Sequence, residues 1–473
     1  MAEQTHKAKY TANPMLYNDP TRFFPADSPV YLCIDLKSFY ASVECVERGL
    51  DPMTAHLVVA DPERSSGTLC LAVSPALKAL GVKNRCRVYE IPKGLDYITA
   101  RPQMRHYIDC AAEIYAVYLQ YLAPEDIHVY SIDEAFLDVT HYLSLYHMTA
   151  KELGIELMSA ILDRTGIRSA CGIGTNLYLA KVALDITAKH SPDFIGILTE
   201  DTYRELLWKH RPLTDFWRIG PATARKLARY GIFTMGELVR TSETDEGLFY
   251  RLFGIDAEIL IDHAYGREPV RMQDIKNYQN KSRAFSSGQV LLRDYSWEEG
   301  LLITKEMMQE LCLEMTDKQA VTDCLTLHVS YSHSWRDSRG LPAASSHGST
   351  SLSFPSSADT LWLQEAEQLY RRIVQPGIPI RRINLTCGRI VPADSALPCR
   401  QYSLFDTEGN FTADIETARR EEERSRRMQT TVLEIRKRYG KNAVLKGMNL
   451  EKSATGMERN RQIGGHRSGE SAV

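Results

Sequence analysis

Two short apolar stretches that carry acidic residues limit the folds open to this chain more than any other feature. The run YLCIDLKSFY (31–40) carries Asp35, and the run YSIDEAFLDV (130–139) carries Asp133 and Glu134. Ionised side chains at a buried strand edge are costly unless a cation compensates them. Three carboxylates gathered from two strands suit a hard cation such as Mg²⁺. The pattern therefore indicates phosphoryl or nucleotidyl transfer, in which two metal ions hold the attacking and leaving oxygens.

The size and charge of the chain indicate several globular domains. Its 473 residues suggest about three domains. A composition of 44% hydrophobic and 25% charged residues is ordinary for a globular protein with sizeable cores. The formal net charge is only −3, so overall charge does not indicate a nucleic-acid partner. Any surface that binds phosphate must therefore be built from local clusters of cations.

The cysteines and the apolar runs together predict a reduced, cytoplasmic protein. The ten cysteines form no CxxC pair and mostly lie inside apolar runs, so we expect small, buried side chains. The first thirty residues lack the apolar core of a signal peptide. No stretch approaches about 18 consecutive apolar residues, so we expect neither a membrane span nor a membrane partner.

Strands and helices alternate up to about residue 205, which predicts an α/β sheet with functional side chains at strand ends. A buried strand is expected at 30–36 and a long amphipathic helix at 102–122. Short helices with glycine turns follow from about 205 to 275. At 217–239 an Ile-Gly-Pro turn has the form of a helix–hairpin–helix, which presents backbone N–H groups to a phosphate oxygen. A plain tight turn is the alternative.

The elements between 281 and 391 have the order β-α-β-β-α-β, the split βαβ pattern of a four-stranded sheet with two helices on one face. In this pattern we expect the first and last strands to lie centrally. Arg283 and Arg382 lie on these strands, where they could face a phosphate backbone or simply solvent. Beyond about 395 we expect a linker, one helix at about 413–438 and a disordered tail.

Four segments occur in an order and spacing that are typical of one family. They are IDLKSFYASVE (34–44), SIDEAFLDVT (131–140), CGIGTNLYLAKVALDITAK (171–189) and the hairpin at 218–224. In these segments the chain resembles the Y-family (DinB/UmuC-type) translesion DNA polymerases, and the resemblance covers nearly everything from residue 30 to 405. The segment SPALKALGVK (74–83) makes it similar to the UmuC-like bacterial branch.

The resemblance implies a multidomain fold of α/β and α+β parts, arranged as a right-hand polymerase. A catalytic palm, small fingers, a helical thumb with the helix–hairpin–helix and a split-βαβ little finger are expected. The implied ranges are 1–28 for an irregular extension, 29–50 and 98–205 for the palm, 51–97 for the fingers, 206–275 for the thumb, 276–395 for the little finger, and 396–473 for a clamp-binding peptide and flexible tail.

The resemblance also implies roles for single residues. Asp35, Asp133 and Glu134 match catalytic carboxylates that hold two Mg²⁺ ions. Tyr40, beside Phe39, matches a steric gate that excludes a ribose 2′-hydroxyl, and a core aromatic is the alternative. The other implied contacts are the main-chain carbonyl of Leu36 to metal, Lys78, Lys189 and Ser74 to triphosphate, and Gly220, Ala222 and Arg283 to DNA.

Two positions depart from the family pattern. Lys37 stands where many members have an acidic residue, and Pro75 replaces a tyrosine that is common in the fingers. The implied fingers contacts to the triphosphate therefore depend on Lys78 and Ser74. Lys181 is assigned to DNA contact or to helix surface and stays outside the predicted catalytic set.

The peptide QYSLF (401–405) resembles the pentapeptide that bacterial polymerases insert into the sliding clamp (β subunit). Gln401, Leu404 and Phe405 would be its anchors, and tethering would raise the effective concentration of the enzyme at the primer end. The other implied partners are primer–template DNA, dNTPs and a recombinase or other SOS proteins.

These features together predict a low-fidelity, template-directed DNA polymerase for translesion synthesis, which adds dNTPs to a primer 3′-hydroxyl without proofreading. The short fingers cannot enclose the nascent base pair tightly, which suits lesion bypass. Three alternatives remain open: a catalytically weak DNA- and clamp-binding factor that regulates stalled forks, a nucleotidyl cyclase or related palm enzyme, and a polymerase restricted to one nucleotide.

Overall fold

The computed structural model describes residues 24, 28–63, 67–279, 284–395 and 408–469, and of residues 190, 408–419 and 421 it describes the backbone alone. The chain forms two compact units, 1–279 and 280–473, and each is described by itself. The first unit contains both acidic strands, and the second contains the split βαβ pattern.

A mixed five-stranded sheet forms the centre of the first unit. The strands of this unit are β1 (Tyr31–Leu36), β2 (Leu57–Val59), β3 (Ala72–Val73), β4 (Ile98–Ala100), β5 (Ile127–Val129), β6 (Glu134–Asp138), β7 (Ser169–Gly174) and β8 (Ile195–Leu198). In the central sheet, of order β5-β6-β1-β7-β8, β1 runs antiparallel to both neighbours. β1 is the central strand, and five of its six residues are buried. On one face, Tyr31 and Cys33 share an apolar cluster with Leu177, Ala180 and Leu184 of the segment after β7. In a smaller sheet of order β3-β2-β4, β2 and β3 lie within the range predicted for the fingers, and β4 lies directly after it.

Helices surround both sheets. In chain order they are α1 (Phe39–Glu47), α2 (Pro75–Ala79), α3 (Met104–Tyr118), α4 (Tyr142–Tyr146), α5 (Ala150–Thr165), α6 (Leu177–Val182), α7 (Glu200–Leu207), α8 (Pro221–Ala228), α9 (Met235–Thr244), α10 (Glu246–Phe253), α11 (Asp256–Tyr265) and α12 (Met272–Asn277). The helix predicted at 102–122 is α3, which is shorter at both ends. α5 begins with a capping box between Thr149 and Glu152 and ends at Gly166 in the left-handed conformation.

The helix after β7 approaches the sheet so closely that glycine is required beneath it. A Cβ atom on Gly172 would lie 2.1 Å from the carbonyl oxygen of Ala180, and one on Gly174 would lie 2.3 Å from the Ala180 nitrogen. α6 then continues as a π-helical turn over 183–187, a feature that is frequent at functional sites. The glycines thereby fix the position of the helix that carries Lys181.

The stretch from α7 to α12 is helical, as predicted. α7 to α11 share one apolar core, which includes Leu227, Leu238 and Phe249, while Met272 of α12 packs in a separate cluster with Tyr31 of β1. Gly231, with a φ of 73°, lies in the turn between α8 and α9. The hydroxyl of Thr234 accepts a hydrogen bond from the Glu237 N–H and so caps α9.

The second unit contains a four-stranded sheet with two helices in the predicted order. Its elements are β9 (Phe285–Tyr295), α13 (Trp297–Asp317), β10 (Ala320–Tyr331), β11 (Ser346–Ser356), α14 (Asp359–Ile373), β12 (Ile380–Gly388) and β13 (Val391–Pro392). The strand order β11-β10-β12-β9 confirms that the last strand, β12, lies centrally and next to the first strand, β9. It corrects the expectation for β9, which lies at an edge because β12 is its only partner among the described strands.

α15 (Glu408–Tyr439) confirms the helix predicted at about 413–438. The described residues after it contradict the predicted disordered tail, because they form α16 (Gly456–Asn460), β14 (Gln462–Ile463) and β15 (His466–Arg467). Glu306 of α13 is 3% exposed, and its carboxylate accepts hydrogen bonds from the Asn449 amide at 2.8 Å and from the N–H groups of Thr455 and Gly456 at 2.8 and 3.1 Å. The polar composition of the tail concealed this order, because its partners lie far away in the chain.

The described cysteines are free and mostly buried, as predicted. Seven of these nine thiols are buried, among them Cys33 and Cys171. Burial raises the pKa of the Cys171 thiol to about 12, so this thiol stays protonated. Within the described ranges, no helix combines the length and the apolar character that crossing a membrane requires.

Candidate active site

Strand pairing brings the predicted carboxylates to the same end of the central sheet. Asp35 in β1 lies directly opposite Glu134, the first residue of β6. The N–H of Leu36 donates to the carbonyl oxygen of Asp133 at 2.9 Å, which holds the chain just before β6. The backbone thus gathers Asp35, Asp133 and Glu134, while the buried Leu36 ends β1 beside them.

The acidic side chains already have partners within the protein. Glu134 Oε1 lies 2.8 Å from Lys181 Nζ and accepts a hydrogen bond from Cys33 Sγ at 3.1 Å. Asp133 Oδ1 accepts from Ser131 Oγ at 2.6 Å. Across the described part of the chain, no group of three or more His, Cys, Asp or Glu side chains is arranged to hold a metal ion. The carboxylate of Glu134 is instead directed at a lysine.

The electrostatic environment of Asp35 nevertheless suits a cation. Burial, followed by the negative charges of Asp133 and Glu134, raises the pKa of Asp35 to about 7, while Lys181 acts in the opposite direction. A buried carboxyl group beside other carboxylates ionises fully when a positive charge compensates it. Carboxylate and main-chain carbonyl oxygens are also the donors that Mg²⁺ takes in proteins. The donor set therefore fits the predicted metal.

Lys181 is a functional candidate that the sequence analysis left out of the catalytic set. Its side chain is 9% exposed and contacts Asp185 at 3.0 Å in addition to Glu134. Burial acts to lower the pKa of this ammonium group, but Asp185 and Glu134 outweigh burial, and the pKa is raised. A signal in the sequence could have identified Lys181. Three charged residues follow each other at a spacing of four, which places them on one helical face: Lys181, Asp185 and Lys189.

Three lysines place positive charge near the carboxylates. Lys78 of α2 donates to Ser38 Oγ at 2.8 Å. Burial lowers the pKa of Lys78, Asp35 opposes this, and the charge of Lys189 lowers it further. Lys37 behaves in the same way, since burial, Lys189 and Lys78 lower its pKa against the influence of Asp35. The departure at position 37 therefore adds a third cation beside the two that the family pattern predicts.

Ser74 lies directly before α2, and its carbonyl oxygen accepts a hydrogen bond from the Lys78 N–H at 3.0 Å. It is fully buried, and its hydroxyl accepts a hydrogen bond from the Leu57 N–H at 3.1 Å. Pro75 occupies the first turn of α2, where its missing N–H and fixed φ are tolerated. The hydroxyl of Ser74 thus joins α2 to the small sheet, and its triphosphate contact stays a prediction.

The predicted gate residues begin α1, directly after the acidic end of β1. Phe39 is buried, while Tyr40 is half-buried, and their ring centroids are 5.7 Å apart. The Tyr40 ring stacks on the ring of Tyr107, with centroids 4.5 Å apart and an angle of 17° between the planes. Tyr40 thus has one packed face.

The predicted hairpin turn is exposed at the start of α8. Gly220 precedes α8, and both Gly220 and Ala222 are exposed. A Cβ atom on Gly220 would meet nothing within 4 Å, so packing within the protein does not require glycine there. Arg283, Gln401, Leu404 and Phe405 lie outside the described residues.

Comparison with known proteins identifies the family. The profile described as the impB/mucB/samB family matches residues 34–185, and the profile of its C-terminal domain matches 282–404. UvrX of Bacillus subtilis, a protein named for UV-damage repair, is 30% identical over 443 residues, which cover 92% of this chain and 97% of UvrX. This chain belongs to the impB/mucB/samB family, the Y-family of translesion polymerases.

Other Y-family proteins agree with this assignment. A protein named DNA polymerase IV 2, from Halalkalibacterium halodurans, is 27% identical over 440 residues, or 92% of this chain and 99% of that protein. A solved structure of a Y-family DNA polymerase chimera of Dbh and Dpo4 superposes with a TM-score of 0.57 at 18% identity, over 76% of this chain and 99% of the chimera. The predicted Y-family fold class, with its α/β and α+β parts, is confirmed.

Proposed function

We propose that this Y-family chain is a low-fidelity, template-directed DNA polymerase that performs translesion synthesis without proofreading. The proposal rests on one observation: three carboxylates lie together beside a cluster of lysines. They belong to Asp35, Asp133 and Glu134. The substrates would be primer–template DNA and dNTPs. The relatives named DNA polymerase IV support the same activity.

The carboxylates of Asp35, Asp133 and Glu134, with the main-chain carbonyl of Leu36, would hold two Mg²⁺ ions. When bound, such ions acidify the primer 3′-hydroxyl and neutralise charge on the leaving pyrophosphate. Lys181 contributes before metal binding, because its ammonium group, 2.8 Å from Glu134 Oε1, holds this largely buried carboxylate in a fixed direction.

The lysine cluster of Lys37, Lys78 and Lys189 would hold the incoming triphosphate. Their mutual repulsion is relieved when a polyanion binds among them, and charge-assisted contacts to the triphosphate stabilise the charge that develops in the transition state. Ser74, directly before α2, would add a further contact to the triphosphate. Tyr40, with Phe39 behind it, would exclude the 2′-hydroxyl of a ribonucleotide.

The remaining assignments concern DNA, protein partners and domains. Exposed backbone at Gly220 and Ala222 would approach a phosphate of the DNA, and Arg283 would add a further contact. Gln401, Leu404 and Phe405 would dock on the sliding clamp, and a recombinase or other SOS proteins are proposed as further partners.

The predicted ranges of the palm, fingers, thumb and little finger are proposed unchanged. One observation supports them: the second compact unit begins at residue 280, close to the proposed start of the little finger at 276. The cytoplasm, where bacterial DNA lies, is the proposed location.

Primer extension by purified variants tests the proposal. Asp133→Ala and Glu134→Ala should each reduce nucleotide addition at least about a hundredfold, because each removes a carboxylate from the proposed metal site. Asp163→Ala, an exposed acid on α5, is the matched control and should leave extension unchanged. Undiminished extension by both active-site variants would overturn the assignment.

A further inference from the structure

We propose that Tyr107 and Glu44 are positioning residues for Tyr40, and that they set how strictly the enzyme rejects ribonucleotides. This inference rests on the proposed function, in which Tyr40 faces the sugar of the incoming nucleotide. It goes further by assigning the accuracy of sugar selection to two residues that lie behind Tyr40.

The first observation is that Tyr40 leans on a rigid support. Its ring stacks on Tyr107 with a centroid distance of 4.5 Å and an interplanar angle of 17°. Tyr107 belongs to α3 and is 0% exposed, whereas Tyr40 is half-buried. A flat ring packed on a fixed ring loses most of its freedom to swing, because the contact area falls steeply with rotation.

The second observation is that the support is itself fixed by a buried charge. The Tyr107 hydroxyl donates to Glu44 Oε1 at 2.5 Å, and Glu44 is 0% exposed. Burial, then the hydrogen bond to Glu44 and its charge, raises the pKa of Tyr107, so the hydroxyl keeps the proton that it donates. Hydrogen bonds to a charged acceptor are about twice as strong as neutral ones.

The carboxylate of Glu44 is held from two elements. Arg48, one turn further along α1, forms an ion pair with it and also donates to its carbonyl oxygen at 2.7 Å. The side-chain amide of Gln103, at the start of α3, donates to Glu44 Oε1 at 3.1 Å. Tyr40 and Glu44 are four residues apart on α1 and so lie on the same helical face. α1 therefore carries both the gate and the group that fixes its support.

This geometry has a consequence for sugar selection. A ring excludes one hydroxyl group only if it cannot retreat by about the radius of an oxygen atom. A displacement of about 1 Å in an active site can change a rate by about a hundredfold. Loosening Tyr107 should therefore admit ribonucleotides, while deoxynucleotides, which lack the excluded oxygen, should be added at nearly the same rate.

The test measures single-nucleotide insertion of a dNTP and of the matching rNTP, as the ratio of their kcat/KM values. Tyr107→Phe, which keeps the ring but removes the hydroxyl, should lower this ratio roughly threefold to tenfold. Tyr107→Leu, which also removes the stacked ring, should lower it roughly tenfold to a hundredfold. In both variants the change should come from a higher kcat/KM for the rNTP, with the dNTP value within about threefold of wild type.

The controls separate positioning from folding. Tyr118→Phe alters another buried tyrosine of α3 and should leave the ratio unchanged. An equal loss of dNTP and rNTP insertion in the Tyr107 variants would indicate a purely structural role and would overturn the inference. An unchanged ratio in both variants, when Tyr40→Ala abolishes selection, would also overturn it.

Two other outcomes concern the proposed function instead. If Tyr40→Ala retains full selection, the gate assignment fails, and the inference fails with it. If wild type is folded by circular dichroism but adds no nucleotide, the polymerase assignment itself fails.

Discussion

At the scale of single residues, the candidate site contains a largely buried lysine that is paired with two carboxylates. Lys181 contacts Glu134 at 2.8 Å and Asp185 at 3.0 Å, and its side chain is 9% exposed. Removing one partner of a buried ion pair leaves the other charge without compensation, which costs more than the pair contributes. The lysine is therefore important both for the fold of this unit and for the carboxylate beside it.

Lys181→Met should separate this lysine from an ordinary surface cation. Because Glu134 would be left buried without its cation, the free energy of unfolding of the first unit should fall by about 3 kcal/mol. Primer extension should fall at least about tenfold, since a misdirected Glu134 holds metal poorly. Urea unfolding and primer extension measure the two effects.

Lys151→Met provides the control for this substitution. Lys151 pairs with Asp193, but the two side chains are 26% and 40% exposed, so the loss of stability should stay within about 1 kcal/mol. Equal losses of stability in the two variants would show that the Lys181 contacts are no stronger than a surface ion pair.

At the scale of helices and strands, two glycines illustrate two different uses of the same residue. Gly172 lies beneath α6, where a Cβ atom would be 2.1 Å from the Ala180 carbonyl oxygen. Gly220 lies at the start of α8 with open space around it and a φ of −81°. The first glycine is required by packing, while the second leaves backbone accessible to a partner.

The pair Gly172→Ala and Gly220→Ala should therefore give opposite results. Gly172→Ala should destabilise the first unit by about 2 kcal/mol or more, because backbone rather than a mobile side chain blocks the new methyl group. Gly220→Ala should change stability by less than about 1 kcal/mol but should weaken binding of primer–template DNA. Thermal unfolding and DNA-binding titrations distinguish them, and an unfolded Gly220→Ala protein would contradict the interpretation.

The elements that could be predicted from sequence are those with strong local patterns. The predictions of β1 as a buried strand, of a strand that begins at the second group of acids and of the β-α-β-β-α-β order of the second unit are confirmed. The edge position of β9 could not be predicted, because periodicity shows that a strand exists but not which neighbour it pairs with. Lys181 was missed for a related reason, since its partner Glu134 lies on a strand far away in the chain.

At the scale of the whole molecule, polar contacts between remote segments join the tail to the rest of the second unit. Glu299, in the first turn of α13, accepts hydrogen bonds from Arg293 of β9 at 2.6 and 3.0 Å and from Ser453 of the tail at 2.5 Å. Chiefly because of Arg293, its pKa is lowered from 4.5 to about 2. One carboxylate thus links a strand, a helix and the tail, which explains why composition alone misjudged the tail.

Glu299→Gln should weaken the second unit in a pH-dependent way. A carboxylate with a lowered pKa in the folded state stabilises the fold above pH 4.5, and this contribution is lost as the pH falls toward 2. We expect a loss of about 1 kcal/mol at pH 7, since the ion pair is partly screened by solvent. The difference from wild type should shrink by pH 3.

Urea unfolding at pH 7 and at pH 3, followed by tryptophan fluorescence, measures this difference. Glu298→Gln, an exposed neighbour in the same helical turn, is the control and should show little effect at either pH. A difference for Glu299→Gln that persists unchanged at pH 3 would show that the charge of the carboxylate is not what matters.

The contacts of Glu306 set an order of events during synthesis of the chain. This residue leaves the ribosome 143 residues before Asn449 and 150 residues before Gly456, which supply its hydrogen bonds. At typical elongation rates of about 5–20 residues per second, the interval lasts roughly 7–30 s. Until it ends, α13 keeps one carboxylate in water, because enclosing that charge without donors is costly. A nascent chain halted before residue 456 therefore carries a second unit that has not closed.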